Sequence, residues 1–488
     1  MKISQFKKMF QNHQILVGGN APDGLEITSL CCDSRDAIPG SLFFCKGAKF
    51  RFDYLQRAAQ AGACAYVSEV DYGLLPTLLV SDIRAAMPLA GKAFAGAPDE
   101  KFPLIGITGT KGKTTCAYFL QSILSRKYGF RVGLISTNEA LSLGQRLKKS
   151  GTTPEPLELY SLLERFASDR VGAAIMEVSS QGLQYRRVEH IDFAVGVFLN
   201  LSPDHISPTE HKDFEEYKAA KQKMLTLCRA GVVNLDDPYS GEILRSATCR
   251  QIQTVSLIGP ADWTARDIRG TRQGVSFRIN GPGCSFPVHL SAAGDFNVSN
   301  ALCAAAAAAA VGGTPEQIQE GLEASVIPGR MEQFSVAGRQ IIVDYAHNRL
   351  SFEKIFEYTS QYFSGVFCTV LFGCPGNKAP GRRKDLPEVA AANADLIILT
   401  DDDPADEEPE AIFRECAAVL ALSDVPYRII PDRREAILAA IEATPPGGLV
   451  LLLGKGHETT QIVRGRAIEY GGDRKCALGA VATVSVES

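Results

Sequence analysis

Closely spaced cysteine pairs of the CxxC type are missing from this sequence. It has thirteen cysteines, an odd number, scattered between Cys31 and Cys476. Zinc-ribbon and thioredoxin-like sites require such a pair, so both classes of protein are excluded. We therefore expect free thiols, as in proteins of a reducing cytoplasm.

The sequence also lacks an excess of charge of one sign and any long apolar run. Lys plus Arg number 51 and Asp plus Glu 55, a net charge of −4, so nothing indicates a nucleic-acid or membrane-surface partner. The longest apolar run, 301–311, is shorter than the roughly 20 residues that span a bilayer, and it predicts a buried Ala-rich helix. The first fourteen residues contain no apolar core of a secretory signal. A cytoplasmic protein without membrane insertion is expected.

Short apolar runs that alternate with helical patterns are what the chain does contain. This alternation predicts an α/β fold built on parallel sheets. The predicted strands are 41–44, 65–67, 77–80, 104–108, 132–136, 174–178, 195–201, 232–235, 340–344, 366–372, 396–401, 428–430 and 449–453.

Two interruptions of this rhythm divide the chain into three predicted domains, about the number that 488 residues allow at roughly 100–200 residues each. A linker-like AGAPDE lies at 95–100 and an IPGR segment at 327–330. We expect a smaller N-terminal α/β domain over 1–100. A central, doubly wound, mostly parallel P-loop domain follows over 101–328, and a C-terminal Rossmann-like domain over 329–488.

A glycine-rich loop, GITGTKGKTT at 106–115, follows a predicted strand and opens a helical pattern. The strict Walker pattern needs a glycine at position 107, where Ile107 stands, so the loop is a variant. Glycines let backbone N–H groups surround a phosphate at a helix N-terminus. Lys113 would reach the terminal phosphates, and the Thr114 hydroxyl would reach Mg²⁺. The predicted nucleotide-binding residues of the loop are Gly109, Thr110, Lys111, Gly112, Lys113, Thr114 and Thr115.

A carboxylate, Glu177, ends the apolar strand that follows this loop in the sequence. Since the carboxyl ends of parallel strands meet at one edge of a sheet, Glu177 is well placed to bind Mg²⁺ beside the phosphates.

Seven further segments follow the loop in a fixed order. They are EVSS (177–180), NLSPDH (200–205), KAAK (218–221), GDFNVSNAL (294–302), PGRME (328–332), DYAH (344–347) and GKGHE (454–458). With GITGTKGKTT, this ordered set resembles the Mur ligase family along the whole chain. The N-terminal DSR (33–35) is similar to the uridine-binding domain of its third, MurE-type member.

The resemblance implies an activity. Such enzymes use ATP to join an amino acid to the D-glutamate of UDP-MurNAc-L-Ala-D-Glu through an acyl phosphate, during peptidoglycan precursor synthesis. Because two anionic groups must meet, cations and metal ions should dominate the site. ATP and two Mg²⁺ ions are the implied cofactors, and a monomer is expected.

The resemblance also assigns roles to individual residues. Thr114 and Glu177 would hold one Mg²⁺ ion and His205 the other. Lys221 would carry a CO₂-derived carbamate (N6-carboxylysine), which replaces a repelled ammonium with anionic ligands for the metal. Asn300, Arg330 and Asp344 would contact adenine, γ-phosphate and ribose. The implied catalytic residues are Lys113, Glu177, His205, Lys221 and Arg330.

For the sugar–peptide substrate, the resemblance implies a uridine contact at Ser34. The residues implied to hold the muramoyl peptide and pyrophosphate are Thr152, Thr153, Ser179 and Arg187. The neighbouring Arg186 is an open alternative to Arg187.

The added amino acid depends on the segment DDPADEEP at 402–409. The diaminopimelate-adding enzymes have DNPR there, and the arginine that pairs with the distal carboxylate is Ala405 in this chain. An acidic pocket would attract the ε-ammonium of L-lysine and offset its desolvation. The residues implied to bind the amino acid are Arg383, Asp402, Asp403, Asp406, Gly454 and Glu458, with Arg382 an alternative to Arg383.

Other activities stay open at this point. The same reaction could use diaminopimelate, ornithine or D-lysine. A folylpolyglutamate or cyanophycin-type ligase shares the fold, but the DSR domain and the DDP segment argue against it. A P-loop regulatory protein without ligase activity is the alternative of another class, and the set Lys113, Glu177, His205 and Lys221 argues against it.

Overall fold

A computed structural model describes residues 1–47, 50–203, 206, 210–292 and 294–480. The chain divides into two compact units. The first unit comprises Met1–Arg266, Arg278–Pro287 and Ser299–Leu322. The second comprises Asp267–Phe277, Val288–Val298 and Glu323–Ser488.

Helices and strands alternate along most of the chain. The α-helices are α1 (Ile3–Asn12), α2 (Phe52–Gln60), α3 (Ile83–Phe94), α4 (Lys113–Tyr128), α5 (Pro156–Ser168), α6 (Ser180–Gln184), α7 (Phe214–Gln222), α8 (Ser240–Ser246), α9 (Asp295–Ala310), α10 (Pro315–Glu323), α11 (Arg349–Tyr362), α12 (Arg382–Ala391), α13 (Pro409–Leu420), α14 (Arg433–Ala443) and α15 (Asp473–Gly479). The strands are β1 (Leu16–Gly18), β2 (Ser29–Cys31), β3 (Ser41–Phe44), β4 (Ala65–Ser68), β5 (Thr77–Val80), β6 (Leu104–Thr108), β7 (Val132–Ile135), β8 (Ala140–Ser142), β9 (Gln145–Leu147), β10 (Ala173–Glu177), β11 (Phe193–Phe198), β12 (Cys228–Asn234), β13 (Gln251–Ser256), β14 (Trp263–Thr271), β15 (Gly274–Gly281), β16 (Cys284–Leu290), β17 (Glu332–Val336), β18 (Arg339–Asp344), β19 (Cys368–Phe372), β20 (Leu396–Leu399), β21 (Tyr427–Ile429), β22 (Leu449–Leu453), β23 (Thr460–Val463) and β24 (Arg466–Glu469).

The first unit contains an N-terminal sheet in the order β1-β5-β4-β3-β2, in which β1 is antiparallel to β5 and the other pairs are parallel. The strands β3 and β4 are buried along their whole length because helices cover the sheet. The segment 95–100, predicted as a linker, contains a short 3₁₀-helix at Pro98–Glu100. Its Asp99 is buried and pairs with Lys92 at 2.9 Å, so this segment is packed rather than loose.

The central sheet of the first unit includes strands in the order β13-β12-β11-β6-β10-β7-β8-β9. The pairs from β13 to β7 are parallel, and β7–β8 and β8–β9 are antiparallel. The strands β6 and β10 are apolar and fully buried, as in a parallel sheet covered on both faces. Because β7 lies on one side of β6 and β11 on the other, the order of strands reverses at β6. The glycine-rich loop therefore follows the strand at which an open α/β sheet usually binds its ligand.

The second unit contains a sheet in the order β17-β18-β22-β19-β20-β21, parallel except for the pair β17–β18. Strand order reverses here too, because β22 lies between β18 and β19. Asp344 ends β18, and the segments that follow β20 and β22 carry Asp402 and Gly454. The three residues lie at the same edge of the sheet, because these strands are parallel.

Three predictions from the sequence are confirmed. The fold is α/β with large, mainly parallel sheets. The Ala-rich run lies in α9, and Ala301 to Ala308 are fully buried. All thirteen cysteines are free thiols.

Among the described residues, no helix has both the length and the apolarity that crossing a membrane requires. The boundaries at 100 and 328 stay predictions.

Candidate active site

The glycine-rich loop connects β6 to α4, and a side-chain amide fixes its shape. The Oδ1 atom of Asn200 accepts hydrogen bonds from the backbone N–H groups of Thr110 (3.1 Å) and Lys111 (2.9 Å). The Nδ2 atom of Asn200 donates to the carbonyl of Lys111 at 3.1 Å. The sequence places Asn200 in the NLSPDH segment but does not assign it this task.

Gly112 ends the loop with φ at +84°, a conformation that favours glycine. A Cβ atom at this position would lie 2.3 Å from Oδ1 of Asn300. The loop and Asn300 are therefore in close approach, which places the predicted adenine contact beside the predicted phosphate-binding loop. Thr114 and Thr115 are buried in the first turn of α4, directly after the loop.

Two lysines converge on the carbonyl oxygen of Gly109. Lys113 donates to it at 2.8 Å and to the carbonyl of Thr110 at 3.1 Å. Lys221, which is 2% exposed near the end of α7, also donates to it at 2.8 Å. The Lys221 ammonium lies 4.6 Å from the centre of the Tyr217 ring, whose hydroxyl is 3.0 Å from Oγ1 of Thr110. The helix α7 thus brings Lys221 to the phosphate loop, although 108 residues separate it from Lys113 (221 − 113).

Glu177 is fully buried at the end of β10, where its register partner in β6 is Ile107. Its carboxylate accepts hydrogen bonds from the backbone N–H and the hydroxyl of Thr137, both at 2.9 Å. The Thr137 hydroxyl is in turn 3.1 Å from that of Thr152. Sequence reasoning missed Thr137, because it follows β7 in a segment that no motif marks. His205 and its neighbour Asp204 lie outside the described residues.

The residues implied to hold the muramoyl peptide form one cluster next to Glu177. The Thr153 hydroxyl donates to the carbonyl of Glu177 (3.1 Å) and accepts from the N–H of Ser179 (2.9 Å). Arg187 donates to the carbonyl of Thr153 at 2.8 Å. The neighbouring Arg186 pairs with Asp82 at 2.8 Å instead, so Arg187 is the arginine that joins this cluster.

A cavity of about 160 Å³ adjoins Arg187. Three cationic side chains, one carboxylate and the Tyr185 ring line this cavity. The cations are Lys46, Arg84 and Arg187, and the carboxylate is Glu155. Glu155 pairs with Lys46 and with Arg187, both at 2.8 Å. Within the described residues the Nε atom of Arg187 is buried without a hydrogen-bond partner. An anionic group is the ligand that such a lining favours. Ser34 is half-buried in the turn after β2, where Asp33 pairs with Arg35.

In the second unit, the predicted ribose contact Asp344 ends β18. Its carboxylate accepts hydrogen bonds from the N–H groups of Met331 and Ala346, both at 2.7 Å. Burial raises the pKa of this carboxyl group.

The guanidinium of Arg330 stacks over the Tyr345 ring, 4.7 Å from its centre. A Cβ on Gly329 would lie 2.1 Å from the N atom of His457, so the PGRME and GKGHE segments pack tightly.

The acidic residues implied to bind the amino acid surround a lysine. The Nζ atom of Lys455 lies 2.9 Å from Asp403, 2.5 Å from Glu458 and 3.9 Å from Asp402. The predicted acidic neighbourhood thus contains an ammonium that the sequence analysis did not assign, since Lys455 is one residue after Gly454 in the GKGHE segment. Burial raises the pKa of Asp402 to about 6, although Lys455 and Arg433 act in the opposite direction.

Arg383 is buried, whereas Arg382 is partly exposed. The Arg383 guanidinium pairs with Glu407 at 2.7 Å and with Glu415 at 2.9 Å. Within the described structure its Nε atom is buried and has no hydrogen-bond partner. Asp406 accepts a hydrogen bond from Asn377 at 3.1 Å. The structure describes no bond that joins Asp406 or Arg383 to the carboxylates around Lys455.

Comparisons with family profiles and solved structures show what this chain is similar to. The profile of the Mur ligase middle domain matches residues 107–308, and that of the Mur ligase glutamate ligase domain matches residues 329–456. A solved structure titled as a UDP-N-acetylmuramoyl-L-alanyl-D-glutamate–2,6-diaminopimelate ligase superposes with a TM-score of 0.68 at 27% identity. It covers 99% of this chain and 100% of that chain.

Two curated relatives carry the name UDP-N-acetylmuramoyl-L-alanyl-D-glutamate–L-lysine ligase. The one from Streptococcus thermophilus is 37% identical, with 93% of each chain covered. The one from Enterococcus faecalis is 38% identical over 462 residues, which are 92% of this chain and 90% of that protein. The resemblance that the motifs indicated is thus confirmed over nearly the full length, and the chain belongs to the Mur ligase family.

Proposed function

We propose that this protein is an ATP-dependent ligase that joins L-lysine to the D-glutamate of UDP-MurNAc-L-Ala-D-Glu in peptidoglycan precursor synthesis. One observation carries the proposal. The phosphate loop follows β6 and the buried Glu177 ends the adjacent strand β10, so both lie at one end of the central sheet. Hydrogen bonds through Thr137 and Glu177 link this end to the cluster of Thr152, Thr153 and Arg187. A nucleotide phosphate and a peptide carboxylate can therefore be held close together. The names of the curated relatives support the same reaction.

The reaction has two steps in this proposal. A carboxylate oxygen of D-glutamate attacks the γ-phosphorus of ATP, which forms an acyl phosphate and releases ADP. The amine of the incoming lysine then attacks the acyl carbon, loses a proton and displaces inorganic phosphate. Lys113 and the loop N–H groups bind the phosphates, and Arg187 with the threonine cluster orients the peptide. Such positioning and charge stabilisation account for most of the catalysis in phosphoryl transfer.

The donor set beside the loop suits Mg²⁺, because a hydroxyl and a carboxylate are the hard oxygen ligands that this ion prefers. Thr114, Glu177, His205 and a carbamylated Lys221 are the residues that would hold two such ions. The ions would neutralise charge on the phosphates. The convergence of Lys113 and Lys221 on one carbonyl supports the carbamate, since its formation removes one of two neighbouring positive charges.

The remaining assignments complete the proposal. Ser34 contacts uridine, Asn300 adenine, Asp344 ribose and Arg330 the γ-phosphate. Residues 1–100, 101–328 and 329–488 act as the UDP-substrate, ATP and amino-acid domains of a cytoplasmic monomer.

Lysine is the proposed amino acid because the carboxylates around Lys455 outnumber its single ammonium. Asp402, Asp403 and Glu458 carry three negative charges when ionised, so the cluster as a whole stays anionic and attracts the ε-ammonium. Ala405 offers no cation to a distal carboxylate.

Product mass tests the proposal. The protein is incubated with ATP, Mg²⁺ and UDP-MurNAc-L-Ala-D-Glu, and L-lysine, meso-diaminopimelate, D-lysine and L-ornithine are supplied separately. We expect product and coupled phosphate release with L-lysine. A preference for another amino acid would overturn the lysine assignment alone. No product with any of them, in protein that binds ATP, would overturn the ligase activity itself, and Lys113→Ala is the inactive control.

A further inference from the structure

Lys455 is a buried ammonium in the middle of the proposed amino-acid site. It follows β22 directly after Gly454, and it is 1% exposed. Burial acts to lower its pKa, but the carboxylates of Asp402, Glu458 and Asp403 outweigh burial and raise the pKa. Lys455 is therefore charged at neutral pH. A buried charge of this kind is costly unless it is well paired, and here three carboxylates pair with it.

The carboxylates that Lys455 contacts are also held from a second direction. Oδ1 of Asp403 accepts the N–H of Ile462 at 2.9 Å, and Oε1 of Glu458 accepts the Tyr345 hydroxyl at 3.1 Å. Each of these two carboxylates is thus fixed between the lysine and one further donor. The ammonium connects the two groups, because among the described residues both carboxylates pair with it.

The charge of Lys455 also favours the ionised form of Asp402, because it acts to lower the pKa of that group. Asp402, Asp403 and Glu458 repel one another, and burial already raises the pKa of Asp402 to about 6. The other charged groups that act on Asp402 are Arg433, which pairs with Asp473 at 2.7 Å, and the neighbouring carboxyl group of Asp401. Without the ammonium, the pKa of Asp402 would rise further, and a protonated Asp402 loses its attraction for a cationic substrate.

We propose that Lys455 is a positioning residue for amino-acid specificity: it fixes the carboxylates of Asp403 and Glu458 so that they bind the ammonium group of the incoming diamino acid. This inference rests on the proposed function. It assigns Lys455 no contact with the reacting atoms, so its effect should fall on binding of the amino acid rather than on the chemical steps.

The test compares Lys455→Met with Lys455→Arg in the full-length protein. Charged hydrogen bonds of this kind correspond to a change of about tenfold or more. We expect Lys455→Met to raise KM for L-lysine by at least about that factor, with KM for ATP and for the UDP substrate unchanged. Lys455→Arg keeps the charge and should recover much of the affinity for L-lysine. Lys92→Met removes another ammonium that is paired with a buried carboxylate, Asp99, and should leave KM for L-lysine unchanged.

Each result of this test supports or overturns the positioning role of Lys455. An unchanged KM for L-lysine in folded Lys455→Met overturns the inference, and so does an equal loss in Lys455→Arg. Lys455→Gln is the second neutral variant. If circular dichroism shows that both neutral variants are unfolded, Lys455 acts on folding and the inference is again overturned. If the wild-type protein makes no product with any amino acid, the proposed function fails first, and that result is distinct from an active enzyme that tolerates Lys455→Met.

Discussion

The ammonium of Lys221 donates a 2.8 Å hydrogen bond to the carbonyl oxygen of Gly109, which also accepts from Lys113. Two like charges thus meet at one acceptor in the glycine-rich loop. Lys113 is the lysine that we propose to bind the phosphates. Conversion of Lys221 to a carbamate would change its charge from positive to negative, which relieves this repulsion and provides metal ligands.

Replacement of Lys221 should therefore abolish activity without loss of the fold. We expect Lys221→Gln to lower kcat by about a hundredfold or more, as removal of a group that stabilises transition-state charge does. Lys218→Gln is the matched control, because Lys218 lies on the same helix but pairs with Glu215 and Glu242. A carbamate signal from isotopically labelled bicarbonate should appear in wild type and in Lys218→Gln and vanish in Lys221→Gln. Full activity of Lys221→Gln would contradict the assignment.

Gly112 provides a test of the phosphate loop. Alanine at this position has to adopt φ near +84° and to place a methyl group 2.3 Å from Oδ1 of Asn300. We expect Gly112→Ala to raise KM for ATP at least about tenfold and to cost about 1–3 kcal/mol of stability. Gly144 in the β8–β9 turn has φ +76° and nothing within 4 Å of a Cβ, so Gly144→Ala measures the backbone cost alone. Equal KM values for ATP in the two variants would show that the loop does not bind the nucleotide.

Much of the fold could be predicted because burial in a parallel sheet leaves a local pattern. The apolar runs at 104–108 and 449–453 form strands with the predicted bounds. The strands β1, β2, β8, β9, β13 to β17, β23 and β24 were missed. Among them β9, β23 and β24 are short and partly polar, and their pairing depends on hairpin partners. Sequence pattern shows which residues are apolar, but not which partner a marginal strand finds.

The site was only partly predictable for a related reason. Residues in recognisable segments, such as Glu177 and Lys221, lie beside the loop. Asn200 clamps the loop from 89 residues away, and the role of Thr137 depends on the alignment of β7 with β10. The pairing of Lys455 with Asp403 joins residues 52 positions apart. Local sequence carries no signal of such contacts, so the position of Lys455 among the carboxylates was not predicted.

The buried carboxyl group of Asp402 should make stability depend on pH. Its folded-state pKa of about 6 lies above the ordinary value of 3.8, so between these values the folded state binds more protons than the unfolded state. The contribution of Asp402 to the free energy of unfolding therefore decreases as pH rises through this range. We expect Asp402→Asn to unfold less readily than wild type at about pH 7, by on the order of 2 kcal/mol, with the difference shrinking towards pH 5.

Denaturant unfolding at the two pH values measures this difference. Asp424→Asn is the control, because it removes an exposed carboxylate in the same unit. The stabilised Asp402→Asn variant should also bind L-lysine more weakly, since it loses a negative charge of the proposed pocket. A variant that is less stable than wild type at about pH 7 would show that the attraction of Lys455 for Asp402 outweighs the cost of burial.

The identity of residue 405 provides the sharpest test of amino-acid choice. Ala405 already has φ at +55°, so an arginine at this position adds little backbone strain beyond what the alanine carries. Its N–H donates to the carbonyl of Ile462 at 2.9 Å, and this backbone bond does not depend on the side chain. Ala405→Arg would bring a guanidinium to the acidic segment. The new guanidinium can pair there with a second carboxylate on the substrate, and it repels the ε-ammonium of lysine.

We expect Ala405→Arg to raise the ratio of kcat/KM for meso-diaminopimelate over that for L-lysine by about tenfold or more, in keeping with the strength of a charged hydrogen bond. Competition between the two amino acids, with products separated by mass, measures this ratio directly. Ala421→Arg adds the same charge at an exposed position after α13 and should leave the ratio unchanged. If Ala405→Arg also leaves it unchanged while the enzyme stays active, discrimination lies elsewhere in the pocket. The carboxylates around Lys455 would then be the groups that reject a second substrate carboxylate, because they repel it whether or not residue 405 is charged.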